Sequence, residues 1–279
     1  MRKLMLALVA VSALWPAGRV WSQDEDVYGE ALLPPETLLL ISAPDVPAML
    51  DRLNASSSGK LLAEPAVQGF IKQFHEKFEE ASSAVTEHLG VSLQDLAALP
   101  QGEITFALVE KPARKLNAVL LIDYGNKDET ADKLFQKMDD ALTDNGAEHS
   151  SQMIGDLEVD VYKLPGGANN PIKTLAYFAD EGYFIAATDL EALKSVLDRW
   201  SGEAKKSLAD QDVFEYIMEK TNTGDEEVAL KWFVNPIGLL QAGIGMVQGQ
   251  NPQAGLVMGM LPILGLDRMK GFGGTMDIG

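Results

Sequence analysis

Ser57-Ser58-Gly59-Lys60 has the S-x-x-K spacing from which penicillin-binding proteins build an acylating serine. That chemistry needs the serine at a buried helix start, with the lysine one turn on. It also needs a K-T-G strand whose glycine lets substrate approach. Here the tetrad reads as a soft turn, and Lys173-Thr174-Leu175 puts leucine where the glycine belongs. Gly59-Lys60 also resembles the end of a P-loop, yet Leu61 replaces the magnesium-binding hydroxyl and Asn54 the first glycine. His75-Glu76-Lys77-Phe78-Glu79 is one residue away from a zinc HExxH. Glu79 can still share a helix face with His75, but that face is charged and no third ligand is evident. His88 and His149 read as surface residues. Gly243-Ile244-Gly245 misses a dinucleotide fingerprint because Gly249 comes one residue late, in what reads as helix interior. Met246, Met258, Met260, Met269 and Met276 gather toward the C-terminus. Such a cluster suits Cu(I) in an exported protein, although filling an apolar core is methionine's commoner use. No catalytic, cofactor-binding or metal residue is assigned from these fragments, and no cofactor is expected. Asp123, at an apolar strand end, and Asp160 remain as candidates for a general acid/base pair.

The elements that must position these groups are legible from hydrophobic periodicity. Thr37 to Ile41 is a short apolar run that suits a buried strand. Ser42-Ala43-Pro44-Asp45 then reads as a helix start, with Ser42 as the cap and Asp45 completing a capping box. From Pro65 the stripe Val67, Phe70, Ile71, Phe74, Phe78, Val85 and Leu89 has helical spacing, ended by Gly90. A short helix capped by Ser92 stops at Pro100. Strands follow over 103–109 and 117–124, then a helix over 129–142 ended by Asn145-Gly146. Residues 156–164 alternate at period two, and 172–179 and 183–187 flank the hairpin turn Asp180-Glu181-Gly182. A strand over 228–234 precedes two apolar, glycine-bearing helical segments, 236–246 and 253–266. Residues 271–279 look like the opening of another strand pair, as in a truncated C-terminus. The pattern predicts an α+β fold, a largely antiparallel sheet packed on amphipathic helices.

An internal strand–helix–helix repeat is also expected. Thr37 to Ser42 aligns with Tyr183 to Thr188, with Ser42 and Thr188 as equivalent caps. Val67, Phe70 and Ile71 then align with Val213, Tyr216 and Ile217.

Met1-Arg2-Lys3 followed by the apolar run Leu4 to Trp15 has the form of a secretory signal. The run is shorter than the roughly 20 residues that cross a bilayer. Ser22 offers a small residue for cleavage, placing the mature start near Gln23. With no cysteine anywhere, thiol nucleophiles, CxxC redox pairs, Cys-bound zinc and lipidation at an N-terminal cysteine are excluded. The net charge is −18, and losing Arg2, Lys3 and Arg19 with the leader makes it more negative. Such a surface repels nucleic acid and anionic membrane.

The entry Leu33-Pro34-Pro35-Glu36-Thr37-Leu38 and the strand into Ser42-Ala43-Pro44-Asp45-Val46-Pro47 carry a family resemblance. Leu61 to Val67, Gly90 to Ser92, Leu99 to Gly102, Phe233 to Pro236 and Leu266 to Gly274 extend it. With these segments the chain resembles a family of exported bacterial proteins of planctomycete type, catalogued as a domain of unknown function. The resemblance implies repeated strand–helix units and a longer parent, and it carries over no activity and no site residue.

The expected organisation is a signal peptide (1–22), an acidic, proline-bearing linker (23–36), a first α+β unit (37–182) and a related, incomplete second unit (183–279). The expected function is an exported, non-enzymatic binding or scaffold protein. Its partner would be a protein, peptide or envelope polymer, with no nucleic acid and no membrane span after signal removal. The alternative is a carboxylate-dependent hydrolase acting on cell-envelope material.

Overall fold

The computed structural model describes residues 28–62, 64, 91, 95, 98–111, 115–165, 172–222, 228–247, 259, 265 and 268–278. The leader, the 65–89 helix, and the 253–266 segment apart from residues 259 and 265 lie outside these. So do His75, Glu79, His88, Gly249, Met258 and Met260. The chain opens with helix α1 (Gly29–Leu32), strand β1 (Thr37–Ala43) and helices α2 (Val46–Ala55) and α3 (Ser57–Leu62). Next come β2 (Ile104–Lys111), β3 (Lys115–Asp123), α4 (Asp128–Asp144), β4 (Glu148–Ile154), β5 (Leu157–Lys163) and β6 (Thr174–Asp180). They are followed by β7 (Tyr183–Ala187), α5 (Leu190–Trp200), α6 (Asp212–Thr221), β8 (Leu230–Val234), α7 (Pro236–Val247) and β9 (Phe272–Met276). The strands form one sheet in the order β4-β5-β6-β7-β3-β2-β1-β8-β9. Every neighbouring pair is antiparallel. The mixed α and β content and the antiparallel sheet agree with the sequence pattern. Residue 182 lies in the β6–β7 turn, and β7 pairs with both β6 and β3, so strands on either side of that position share the sheet.

Strand alternation sends side chains to opposite faces and divides the core in two. On one face Leu40, Ala107, Val119, Ile185 and Phe233 are buried with Leu193, Val196 and Leu197 of α5 and Phe214 of α6. On the other, Ile122, Tyr162, Tyr177 and Phe184 are buried with Ala131, Leu134, Met138 and Leu142 of α4. Further along that second face, Phe106, Ile41 and Trp232 sit in one row across β2, β1 and β8, and all three are exposed.

Four local expectations need correction. Ser42 does not cap a helix: β1 continues through it, and its hydroxyl is buried and donates to Glu103. Asp45 caps α2 instead, accepting from the Ala48 amide at 2.8 Å, with Pro47 in the first turn. Thr188 likewise accepts from the Ala118 amide on β3, and Asp189 caps α5. In both places the hydroxyl still faces the sheet, so a sheet polar group takes it and the following acid meets the free helix amides. The second correction is that Ser57 to Lys60 lies in α3 rather than a soft turn; the Ser56 hydroxyl accepts from the Gly59 amide. Ser57 and Lys60 are exposed, so a buried nucleophile is still missing. Third, residues 29–33 are not linker. Residues 29–32 form α1, and Leu32 and the extended Leu33 after it enter the core, because two adjacent leucines outweigh the acidic and proline-rich composition around them. Fourth, β9 is not the first strand of a new pair: it completes one with the preceding strand β8.

The β6–β7 turn has Glu181 and Gly182 both at positive φ, 48° and 83°, the twist that tight hairpins favour. The Gly182 carbonyl accepts from the Tyr124 and Gly125 amides, and a Cβ on Gly182 would stand 2.6 Å from the Gly125 carbonyl oxygen. Gly146, at φ 84°, has nothing within 4 Å of that position. Both Gly→Ala variants therefore carry the left-handed strain of about 1–2 kcal/mol. Gly182→Ala adds a backbone clash, and its urea midpoint should fall clearly below that of Gly146→Ala.

Candidate functional site

A cavity of about 610 Å³ opens where the start of β1 and the end of β8 meet α6 and α7. That size lies within the roughly 300–1,000 Å³ of small-ligand sites. Leu38 and Phe233, both buried, point from β1 and β8 to form its floor, with Val213 of α6 and Ile237 of α7 beside them. The rim is polar and comes from separate stretches of chain: Glu110 at the end of β2, Lys206 and Gln211 ahead of α6, Asp212 on it, and Lys270 ahead of β9. Asn235 and Gln241 complete it from the start and middle of α7.

Several local bonds hold this rim. The Ser207 amide and hydroxyl donate to Asp210 Oδ2 at 2.7 and 2.8 Å, and these bonds hold the Asp210 carboxyl below its ordinary value. Asp210 is thus committed to its own turn. Arg199 Nε donates to the Lys206 carbonyl at 2.7 Å and its other nitrogen donates to the Ser195 carbonyl, tying this segment to α5. Burial lowers the Arg199 guanidinium from its usual value, against Glu36, Asp198 and Asp210 nearby. The Asn235 side-chain oxygen accepts from the Gly238 amide at 2.8 Å, capping α7, which leaves its NH2 group to donate. The Asn235 amide itself donates to the Leu38 carbonyl, so α7 starts at a defined height above β1.

Two other polar groupings are set apart from this cavity. Ser42, Thr105 and Glu103 are buried beneath α1; both hydroxyls donate to Glu103 Oε1 and the Gly29 amide donates to Oε2 at 2.8 Å. Burial raises the Glu103 carboxyl, and the nearby Glu30 raises it further, against those three bonds. Glu30 in turn meets Lys231 at 2.6 Å, and the ammonium sits 4.3 Å over the Tyr28 ring. Complete burial keeps substrate from Ser42 and Thr105, so this knot holds α1 to the sheet.

The second grouping is on the β4–β5 hairpin. His149 Nε2 lies 2.7 Å from Asp160 Oδ1, and its ring stacks on Tyr162 at 4.5 Å. The Tyr162 hydroxyl donates to Asp139 of α4 at 2.8 Å. Burial pushes the Tyr177 hydroxyl up to about 12, with Asp160 and Asp139 adding to it, and burial raises Tyr162 as well. Both phenols remain protonated. His149 and Asp160 are partly exposed beside β4, an edge strand whose side chains are nearly all exposed, while Tyr162 and Tyr177 are buried against α4.

Of the residues singled out from sequence, Asp160 therefore meets a histidine that read as an isolated surface residue. The missed signal was Gly155-Asp156, a two-residue hairpin turn that makes 148–154 the partner of 157–163. Asp123 shapes the turn after β3: its Oδ1 accepts from the Gly125 amide at 2.8 Å. Gly243 and Gly245 fall inside α7. Met246, Met269 and Met276 sit on α7, at the cavity rim and on β9 respectively. Among the described residues no three His, Asp or Glu side chains are grouped to hold a metal ion. No helix among them is long and apolar enough to cross a membrane.

No known protein family, curated protein or solved structure matches this chain.

Proposed function

We propose that this chain is an exported, non-enzymatic binding protein whose ligand sits in the cavity between β1, β8, α6 and α7. One observation carries the reading: seven polar side chains from separate segments converge over an apolar floor there. The anion among the lining groups whose bonding is defined, Asp210, is tied to Ser207 and so serves the turn rather than proton transfer. A carboxylate hydrolase finds less support, since Asp123 is engaged in a turn and Asp160 in a partly exposed pair with His149. The proposal takes residues 1–22 as a cleaved leader and draws on the planctomycete-type resemblance for export. It also takes the stretches that begin at Thr37 and Tyr183 as copies of one strand–helix–helix unit; β1–α2 and β7–α5 share element order, while the first copy's second helix, with Val67, Phe70 and Ile71, lies outside the described residues.

Native mass spectrometry of the chain with alanyl-leucyl-alanine, chitotriose or decanoate tests the binding reading. At least one of the three should give a one-to-one adduct. Gln211→Trp and Gln241→Trp, each placing a ring in the cavity from a half-buried or exposed position, should lose it while keeping the wild-type melting temperature. Absence of any adduct, or equal adducts on both folded variants, would end the reading.

A further inference from the structure

Resting on that binding site, we propose that its ligand is a short peptide with free amino and carboxyl termini. The charges on the rim are of both signs and are available. Among the described residues neither Lys206 nor Lys270 is in a direct ion pair, although the Lys206 charge also acts on Asp210, and neither the Glu110 nor the Asp212 side chain makes a hydrogen bond or ion pair. A purely anionic ligand would meet Glu110 and Asp212, and a purely cationic one would meet the two lysines. A zwitterion satisfies both, with its carboxylate toward Lys206 and Lys270 and its ammonium toward Glu110 and Asp212.

The same cavity is lined by three carboxamides, Gln211, Asn235 and Gln241. The first and last make no side-chain hydrogen bond among the described residues, and Asn235 keeps its NH2. A carboxamide offers a donor and an acceptor in one plane, the same pair that a peptide group presents. Beneath them Leu38, Val213 and Ile237 provide an apolar floor for one side chain of the ligand.

The same lining argues against other small ligands. Phe233 is the one aromatic residue lining the cavity among those described, and it is 5% exposed, so no ring face is offered for a sugar to stack on. A fatty acid would have to bury its chain under a rim of charged and amide groups, leaving them without partners.

Isothermal titration calorimetry on the full chain separates these outcomes. Alanyl-leucyl-alanine should bind, and its N-acetyl and C-amide forms should each bind about tenfold more weakly or worse. In Lys270→Gln or Lys206→Gln the free and C-amide forms should become closer in affinity, because the carboxylate then loses a cation. Equal binding of free and doubly blocked peptide would overturn the proposal. Binding of chitotriose or decanoate without any tripeptide binding would also overturn it while leaving the cavity a binding site. No binding by any of the three ligands would remove both.

Discussion

Glu103→Ala is expected to destabilise the fold by about 3 kcal/mol or more, because it strips acceptors from buried donors that each cost about 1–3 kcal/mol when unpaired. The Gly29 amide and the Ser42 and Thr105 hydroxyls all donate to this one carboxyl, and Gly29, Ser42 and Thr105 are all buried. Glu103→Gln should recover most of the loss. Its oxygen can accept from Gly29 while its NH2 faces hydroxyls that can turn to accept. The groups facing Glu103 are Glu30 on α1 and, through Glu30, Lys231 on β8.

The pH dependence follows from the direction of the Glu103 shift. Burial raises this carboxyl above its ordinary value of 4.5, so the folded state holds the proton more tightly than the unfolded chain does. The associated stability is present below that ordinary value and is lost as pH rises through the raised folded value. Wild type should therefore lose stability relative to Glu103→Gln as pH rises above the ordinary value of 4.5. Urea unfolding of both proteins over that rise reads the difference directly. A constant gap would mean that the carboxyl is ionised throughout.

Leu33→Ala, and independently Leu32→Ala, should each cost about 2–5 kcal/mol, the range for emptying a fully buried leucine site. Leu33 is fully buried and Leu32 nearly so, in the core formed with Leu193, Val196 and Leu197 of α5. Backbone bonds fasten the same segment: the Leu208 amide donates to the Leu33 carbonyl and the Ala209 amide to that of Glu30. Leu61→Ala on α3 is the matched control. Leu61 is 55% exposed, and its loss should stay within about 0.5 kcal/mol. A Leu33→Ala protein with the wild-type denaturation midpoint would mean that residues 29–33 do not belong to the folded core.

The two stretches most altered by the structure show why composition misleads at short range. Residues 23–36 are acidic and proline-bearing, and that average hides Leu32-Leu33, whose burial puts the end of α1 in the core. Residues 148–154 carry two serines, a histidine and a glutamine, with no apolar face to mark a strand. They form one because Gly155-Asp156 folds them back on β5, so that backbone hydrogen bonding, rather than burial, makes β4. Ser42 and Thr188 show a related limit. Both have the chemistry of a cap, but whether a hydroxyl meets helix amides or a neighbouring strand depends on where the strand ends in three dimensions.

The candidate site was legible only in fragments. Gln211, Asp212 and Gln241 are ordinary polar residues in their own segments, and Asn235 carries only the family resemblance, so none of them marks a site in the sequence. Their convergence depends on β8 pairing with β1 rather than with β7, the strand that comes just before it in the chain.

By itself, then, the sequence determined the strands and helices with clear periodicity, the acidic balance and the absence of thiol chemistry. These follow from local spacing and from residue type, which need no knowledge of distant contacts. The tertiary structure alone decided that Glu103 gathers Ser42, Thr105 and α1, that His149 meets Asp160, and that an apolar-floored cavity lies under Lys206 and Lys270. Each of those depends on which strands lie side by side, and long-range pairing is set by the packing of the whole core rather than by any window of residues.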